Sequence, residues 1–361
     1  QINQFDNRWI LGGQAGKTLV ENSVYDLVVG GEFRYDDGSR IGVEQFNSGT
    51  FAADIASNEI SEGSLGAFVE ATWYVNRDLR LTGGVRTDYY DFNATAQNAF
   101  SANGEKTATQ ASPKFALAYT PLDSLELYYN WGRGFHSNDA RGVVNNTNPI
   151  PGISAGTGYE AGSRLTLGDF KFTSAYWWLN QDSELIFVGD SNSVEPKGAS
   201  KREGYELTMF WKPTNWLGVD AAFTSSDARY VNNPDGIYVE QALEEAVQFG
   251  ISLTKPNWDA SVRLRYLGPY ALDAANVNRG ESLTTINMRT AYHWQSLTMF
   301  IEVINVANTD GKEIVYHYPA YVQGIDAPGL TSDTIDCDVT NCTMSRATLP
   351  RAFRVGVSYQ F

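Results

Sequence analysis

The chain has 361 residues, of which 42% are hydrophobic and 13% aromatic, with 33 glycines and a formal charge of −15 at pH 7. That apolar content supports a packed structure and excludes global disorder, and the negative charge excludes a phosphate-backbone partner such as nucleic acid. Many aromatics and glycines with only 4 methionines point to β structure. No run of 18 or more apolar residues occurs, so the sequence contains no transmembrane helix. The opening QINQFDNRW lacks the basic start and apolar stretch of a signal peptide, so a mature form, a fragment or a cytosolic chain is expected.

Taken in chain order, GGQAGKT (12–18) resembles a phosphate loop, but Leu11 stands where G-x-x-x-x-G-K needs glycine, and no helix is expected after it. A glycine-rich strand end is the reading. SLGAFVEATWY then alternates, with Leu65, Ala67, Val69, Ala71 and Trp73 on one face and Gly66, Phe68, Glu70 and Thr72 on the other. LRLTGGVRTDYY, SLELYYNWG, YELTMFWK, NWDASVRLRYL and LTMFIEV behave the same way. EQALEEAV is the best helical candidate, and it is short. In the terminal PRAFRVGVSYQF, Phe353, Val355, Val357, Tyr359 and Phe361 oppose Ala352, Arg354, Gly356, Ser358 and Gln360. Period-two alternation marks a strand with different surroundings on its two sides. About sixteen such segments are present, each roughly 9–13 residues long, the length a tilted membrane strand requires.

The connections carry a second signal. Short turns at 35–39, 75–78, 120–124, 167–169, 212–215, 254–257 and 293–296 alternate with long polar segments near 48–62, 91–109, 136–157, 181–203, 229–242, 268–281 and 308–349. Short turns on one side and long loops on the other are the layout of an outer-membrane barrel. Trp73, Trp211, Trp216, Trp258 and Trp294 lie near short turns, as an aromatic girdle would. Glu70, Arg86, Asp88, Glu126, Glu206, Asp220, Arg263, Arg265 and Glu302 face the other way, a charge density suited to a wet lumen and not to a dry core. The fold expected is all-β: a transmembrane antiparallel up-and-down β-barrel.

On SPKFALAYTP followed by LELYYNWGRGFHSNDARG (125–142), LNQDSELIFVGD (179–190), SKREGYELTMFWKPTNWLGVDAAF (200–223), VRLRYLGPYAL (262–272) and FIEVINVANTDGKE (300–313), the whole span 1–361 resembles the C-terminal part of a TonB-dependent outer-membrane receptor. The terminal aromatic matches the end that the barrel-assembly machinery reads in that family. The resemblance implies that about 16 strands of roughly 22 are present, with the family's plug domain and TonB-contacting segment not among these residues. It implies a Gram-negative outer membrane, lipid and lipopolysaccharide around the barrel, and energy from a TonB–ExbB–ExbD complex acting through that N-terminal region. The cargo implied is a scarce small molecule or chelate, with iron chelates the commonest. Two other readings stay open. One is a self-contained 16-stranded porin, which an even strand number permits to close. The other is a soluble all-β adhesin or carbohydrate-binding protein, which predicts mixed loop lengths at both ends.

Candidate sites are few. In GFHSNDARG (134–142), His136, Asn138, Asp139 and Arg141, with Ser137, are candidate ligand contacts at the extracellular mouth or, alternatively, a network that orders the loop. In the last loop, Tyr316 and His317, beside Tyr318 and Tyr321, offer aromatic and imidazole groups to a sugar ring, a siderophore or a metal chelate, or cap that loop's own small core. His293, beside Trp294, reads as an interfacial side chain. Cys337 and Cys342, spaced C-x4-C in a loop rich in Gly, Pro and Asp, read as a small disulfide, since further zinc ligands are missing nearby. Asp333, Asp336 and Asp338 are a candidate Ca²⁺ set in the same loop; no other cofactor is expected. No catalytic constellation is present, so an enzyme is not expected.

Overall fold

A computed structural model describes residues 2–47, 49–99, 101–188, 193–317 and 343–360. The long elements are β1 (Ile2–Glu21), β2 (Tyr25–Asn47), β3 (Thr50–Tyr74), β4 (Leu79–Ala96), β5 (Gly104–Leu122), β6 (Leu125–Ser137), β7 (Ile153–Leu167), β8 (Phe170–Val188), β9 (Ser193–Thr214), β10 (Leu217–Tyr230), β11 (Glu245–Lys255) and β12 (Trp258–Leu267). After them come β13 (Tyr270–Ala271), β14 (Arg279–Gly280), β15 (Leu283–Trp294), β16 (Leu297–Ile304), β17 (Lys312–His317), β18 (Thr343–Ala347) and β19 (Ala352–Tyr359). One helical turn, α1 (Ala140–Val143), follows β6. EQALEEAV forms no helix; its last residues enter β11.

Among the described residues fifteen strands form one up-and-down sheet in chain order, from β1 through β12 to β15, β16 and β19. The pairs β13–β14 and β17–β18 are separate two-stranded sheets. β1 and β19 are the two edges of the large sheet. The chain divides into two compact units, Gln1–Ala161 with Trp178–Lys201, and Gly162–Trp177 with Arg202–Phe361.

In the first unit the register places alternate residues of β2–β5 on a common face. Val29 pairs with Val69 and Val69 with Val85, and Leu65, Val69, Trp73, Val85, Tyr89 and Phe115 on that face are all exposed. In the second unit Met299 pairs with Val357 and Ile301 with Val355. There Phe353, Val355, Val357 and Tyr359 are 72%, 74%, 69% and 58% exposed. Such continuous exposed apolar faces suit lipid, not water. Trp73, Trp211, Trp216 and Trp294 are likewise exposed beside short turns, and Trp258 is half-buried, its indole N–H donating to Thr290 Oγ1 at 2.8 Å.

The long polar segments expected at 48–62, 91–109 and 181–203 are largely strand. β2 and β3 are 23 and 25 residues long; β2 ends at Asn47 and β3 begins at Thr50. The alternation does not stop there; it inverts. Beyond Tyr35 and Tyr89 the outer face turns polar, with Asp37, Glu59 and Asp91 exposed, while Ile41, Ile60, Phe92 and Ala94 on the inner face become buried. A pattern that changes sign midway reads in sequence as a polar loop, although the backbone ladder continues unbroken. What buries those inner residues is the segment 138–152. Ala140, Val143, Val144 and Ile150 pack on them, and Phe92 is 0% exposed.

Candidate functional site

Below that cap, the inner face of β2–β6 carries an ion lattice built over glycines. Glu32 pairs with Gly66, and Gly66 with Asp88. Arg86 Nε donates to the two carboxylate oxygens of Asp88 at 2.8 and 2.9 Å, and its Nη2 reaches across to Glu32. A Cβ on Gly66 would lie 2.4 Å from Arg86 Nη2 and 2.6 Å from Asp88 Oδ1. The missing side chain is what lets the guanidinium lie flat between two acids. The same device recurs one strand on: Gly84 separates Glu70 from Lys114 in the register, and the two side chains pair over it. In the second unit Gly250 separates Asp220 from Arg263. Arg263 Nη1 donates to Asp220 at 2.5 and 2.6 Å through space that a Cβ would occupy. Each charge is thereby matched across the strands; Asp88 is fully buried in its pair, while the Lys114 and Arg263 side chains stay open to water.

A cavity of about 570 Å³ opens over the first lattice. Glu70, Arg86 and Lys114 supply charge, and Phe68, Tyr90 and Phe135 supply aromatic surface. Tyr90 meets Phe135 edge-on at 5.8 Å. Ser112, opposite Arg86, contributes a buried hydroxyl without a protein partner. Such a space, with ring surfaces and a few placed polar groups, suits a polar solute of moderate size.

His136 and Ser137 line the cavity where β6 ends. His136 is exposed, with Nδ1 3.3 Å from the Ser137 carbonyl oxygen. Asn138, Asp139 and Arg141 turn toward the cap instead. Asn138 is 6% exposed; its backbone N–H donates to Gly152 O at 3.0 Å and its amide to Pro151 O at 2.6 Å. Asp139 is the N-cap of α1 and accepts from the Arg141 backbone N–H at 2.9 Å and from its guanidinium at 2.8 and 2.7 Å. The Asn138 bonds fix the two ends of the cap segment to each other, and the Asp139–Arg141 bonds cap its helical turn.

Glu62 is a member of this site that the sequence did not single out. It lies on β3 opposite Asp36 and Phe92, just past the exposed apolar band. Burial raises its pKa above the ordinary value, a Ser137 hydroxyl hydrogen bond opposes that, and the Asp36 and Asp139 charges add to it. Asp139 shows the opposite balance: burial pushes it up, but Arg141 outweighs burial and holds it below the usual carboxylate range. Asp36 is gripped by Arg34 at 2.8 Å. Among the described residues Glu62 has no ion pair. Glu32 and Lys114 were missed as well; the signal that finds them is a charge facing a glycine on the neighbouring strand.

The remaining candidates lie in the second unit. Tyr316 is 41% exposed on β17, opposite Met344. His317 Nε2 lies 3.3 Å from Asn278 Nδ2, and its Nδ1 is buried without a protein partner. His293 is not simply interfacial: Nε2 lies 2.5 Å from Asp259 Oδ2 and Nδ1 3.0 Å from Thr298 Oγ1. Cys337, Cys342, Tyr318, Tyr321, Asp333, Asp336 and Asp338 fall outside the described residues. Among the described residues no group of three or more His, Cys, Asp or Glu is arranged to hold a metal ion.

The family model "TonB dependent receptor-like, beta-barrel" matches residues 1–306. A Haemophilus influenzae protein described as an uncharacterized TonB-dependent receptor is 21% identical over 175 residues, 47% of this chain and 50% of that protein. Among solved structures, the ferric yersiniabactin uptake receptor FyuA of Yersinia pestis superposes with a TM-score of 0.74 at 14% identity, covering 99% of this chain and 54% of that one. The copper transporter OprC gives 0.76 at 18% identity, covering 100% and 57%. The chain spans about half the length of these relatives.

Proposed function

This chain belongs to the TonB-dependent receptor β-barrel family, and on that premise we propose that it forms barrel wall of an outer-membrane receptor in a Gram-negative bacterium. The receptor imports a scarce solute, such as siderophore-bound iron or another metal chelate, with energy drawn from a TonB–ExbB–ExbD complex. The observation that carries this reading is the two-sided sheet. Large apolar residues stand exposed on one face while the other holds matched charges around a cavity. A wall between lipid and water needs that division, and a soluble sandwich buries its apolar face instead. Relatives named for ferric-chelate and copper transport support the cargo class. In the mechanism, solute enters from the loop side, meets His136 and the aromatic and charged groups of the cavity, and passes along the inner face.

The test is accumulation of ⁵⁵Fe- and ⁶⁴Cu-labelled chelates by cells producing the receptor that carries this chain, with and without a protonophore. Accumulation that stops with the protonophore is expected. Accumulation that ignores it would overturn the energised reading. The rival is passive diffusion, for which the segment 138–152 is the candidate constriction, since it packs on the inner face of β2–β4 through Ala140, Val143, Val144 and Ile150. Steady single-channel conductance in planar bilayers would establish that rival.

A further inference from the structure

A second cavity, of about 270 Å³, lies on the inner face of the second unit, between β12, β15, β17 and the segment after β18. Its volume is about nine water molecules' worth at roughly 30 Å³ each, too small for a bulky chelate and enough for one small acid. Donor groups converge on it. Arg265 lines it with a side chain 45% exposed, and among the described residues its ion-pair partner is Glu313, at 3.6 Å. Among the described residues the Arg265 guanidinium donates no hydrogen bond, although it offers five N–H groups in a planar fork. Asn287 also lines the cavity; its Oδ1 is taken by the Asn305 backbone N–H at 2.9 Å, which turns its amide nitrogen into an available donor. Thr348 contributes a buried hydroxyl without a protein partner. Arg263, drawn to Asp220 over Gly250, lines the adjoining wall as one half of an ion pair and leaves Arg265 as the guanidinium facing the cavity.

We propose that this cavity is a carboxylate-binding subsite in which Arg265 holds the acid through its guanidinium fork, assisted by Asn287 and Thr348. The Glu313 carboxylate occupies the approach to that fork at ion-pair distance and not at hydrogen-bond distance. It acts as an internal competitor that an incoming carboxylate displaces. A planar fork matches a carboxylate in two parallel bonds, which favours that group over a tetrahedral anion. The ligand class is therefore a small organic acid, or the acid arm of a larger solute that reaches into the cavity. This assignment goes beyond the import reading and needs neither a partner nor a membrane potential.

The experiment is isothermal titration calorimetry of succinate, and separately of inorganic phosphate, into the full chain in detergent micelles. Saturable succinate binding at one site is expected. Arg265→Gln should weaken it at least about tenfold, the loss of a charge-assisted hydrogen-bond pair. Arg265→Lys should restore only part, because an ammonium keeps the charge and not the fork. Glu313→Gln should tighten binding several-fold by removing the competitor, a gain that misfolding cannot produce. Absence of saturable binding in both the unaltered chain and the Glu313→Gln variant would overturn the proposal, as would binding that Arg265→Gln leaves unchanged. Phosphate binding without succinate binding would overturn the carboxylate assignment. Because no transport is measured, failure here leaves the import reading standing, and failed uptake leaves this site standing.

Discussion

The loop-side ends of the two units are closed by different chemistry. In the first, β2, β3 and β4 run far past the exposed apolar band and offer Ile41, Ile60 and Phe92 to the segment 138–152, which answers with Val143, Val144 and Ile150. In the second, β12 stops at Leu267 and β11 starts at Glu245, and the buried cluster there holds only Ala228, Tyr230, Val239 and Ala274. Its loops are tied by polar clasps. Asn305, 2% exposed, donates its amide to Thr309 O and Leu349 O and accepts from the Thr309 N–H, each at 2.9 Å. Arg279 grips both oxygens of Glu244 at 2.7 Å, and Asp273 accepts the backbone N–H groups of Val277 and Asn278 at 3.0 and 2.7 Å. Long strands satisfy their own backbone and free side chains for a dry core. Short strands leave loop backbone to be satisfied by side chains.

The largest effect should come from the apolar cap. Phe92→Ala removes the largest fully buried side chain of the first unit and should cost about 3–5 kcal/mol locally. Hydrogen exchange in 138–152 reports it, and unchanged protection there would mean that the segment is held by its polar ends alone. Asn305→Ala tests the polar side of the comparison. It strands the Thr309 and Leu349 carbonyls and should cost about 1–3 kcal/mol, seen as faster exchange at 309–312 with 138–152 unaffected. Loss of protection in both regions would deny that the two closures are separate.

The smallest effect is a pH dependence of the cap. Glu62 has a raised pKa with the cap in place, so the capped state binds its proton more tightly than the open state. The stability it contributes is full at low pH and is lost as pH rises through the raised value. Asp139, held low, works in reverse: its contribution is lost as pH falls through its depressed value. Protection of 138–152 should therefore pass through a maximum in the acidic range. Glu62→Gln should flatten the alkaline side of that profile, and a profile unchanged in this variant would remove Glu62 from the account.

The lipid-facing side was legible because a single pattern repeats along it. Phe353, Val355, Val357 and Tyr359 alternate with polar residues and are the exposed face of β19. Glu70, Arg86, Asp88, Asp220 and Arg263 were likewise readable as inward-facing, and they form the lattices. The upper halves of β2–β4 were not legible, since Ile41, Ile60 and Phe92 face inward where the pattern below faces outward. GFHSNDARG was visible as a polar cluster, but its division was not: His136 lines the cavity, whereas Asn138, Asp139 and Arg141 bind the cap. That division depends on where β6 ends relative to Pro151 and Gly152, which are far enough along the chain that no local pattern records the meeting.

By itself the sequence determined the class of wall: strands with two dissimilar faces, aromatics near the short turns, and, within the apolar band, charges gathered on the face opposite the exposed apolar residues. Those follow from residue order alone, because side-chain direction alternates along any strand. The tertiary structure decided which charges meet, and it did so through glycines. Gly66, Gly84 and Gly250 lie between partners on flanking strands, so the pairs they admit join residues 54, 44 and 43 positions apart. No spacing rule within one strand encodes that, because the partner is set by register across three strands and by the space a missing side chain leaves.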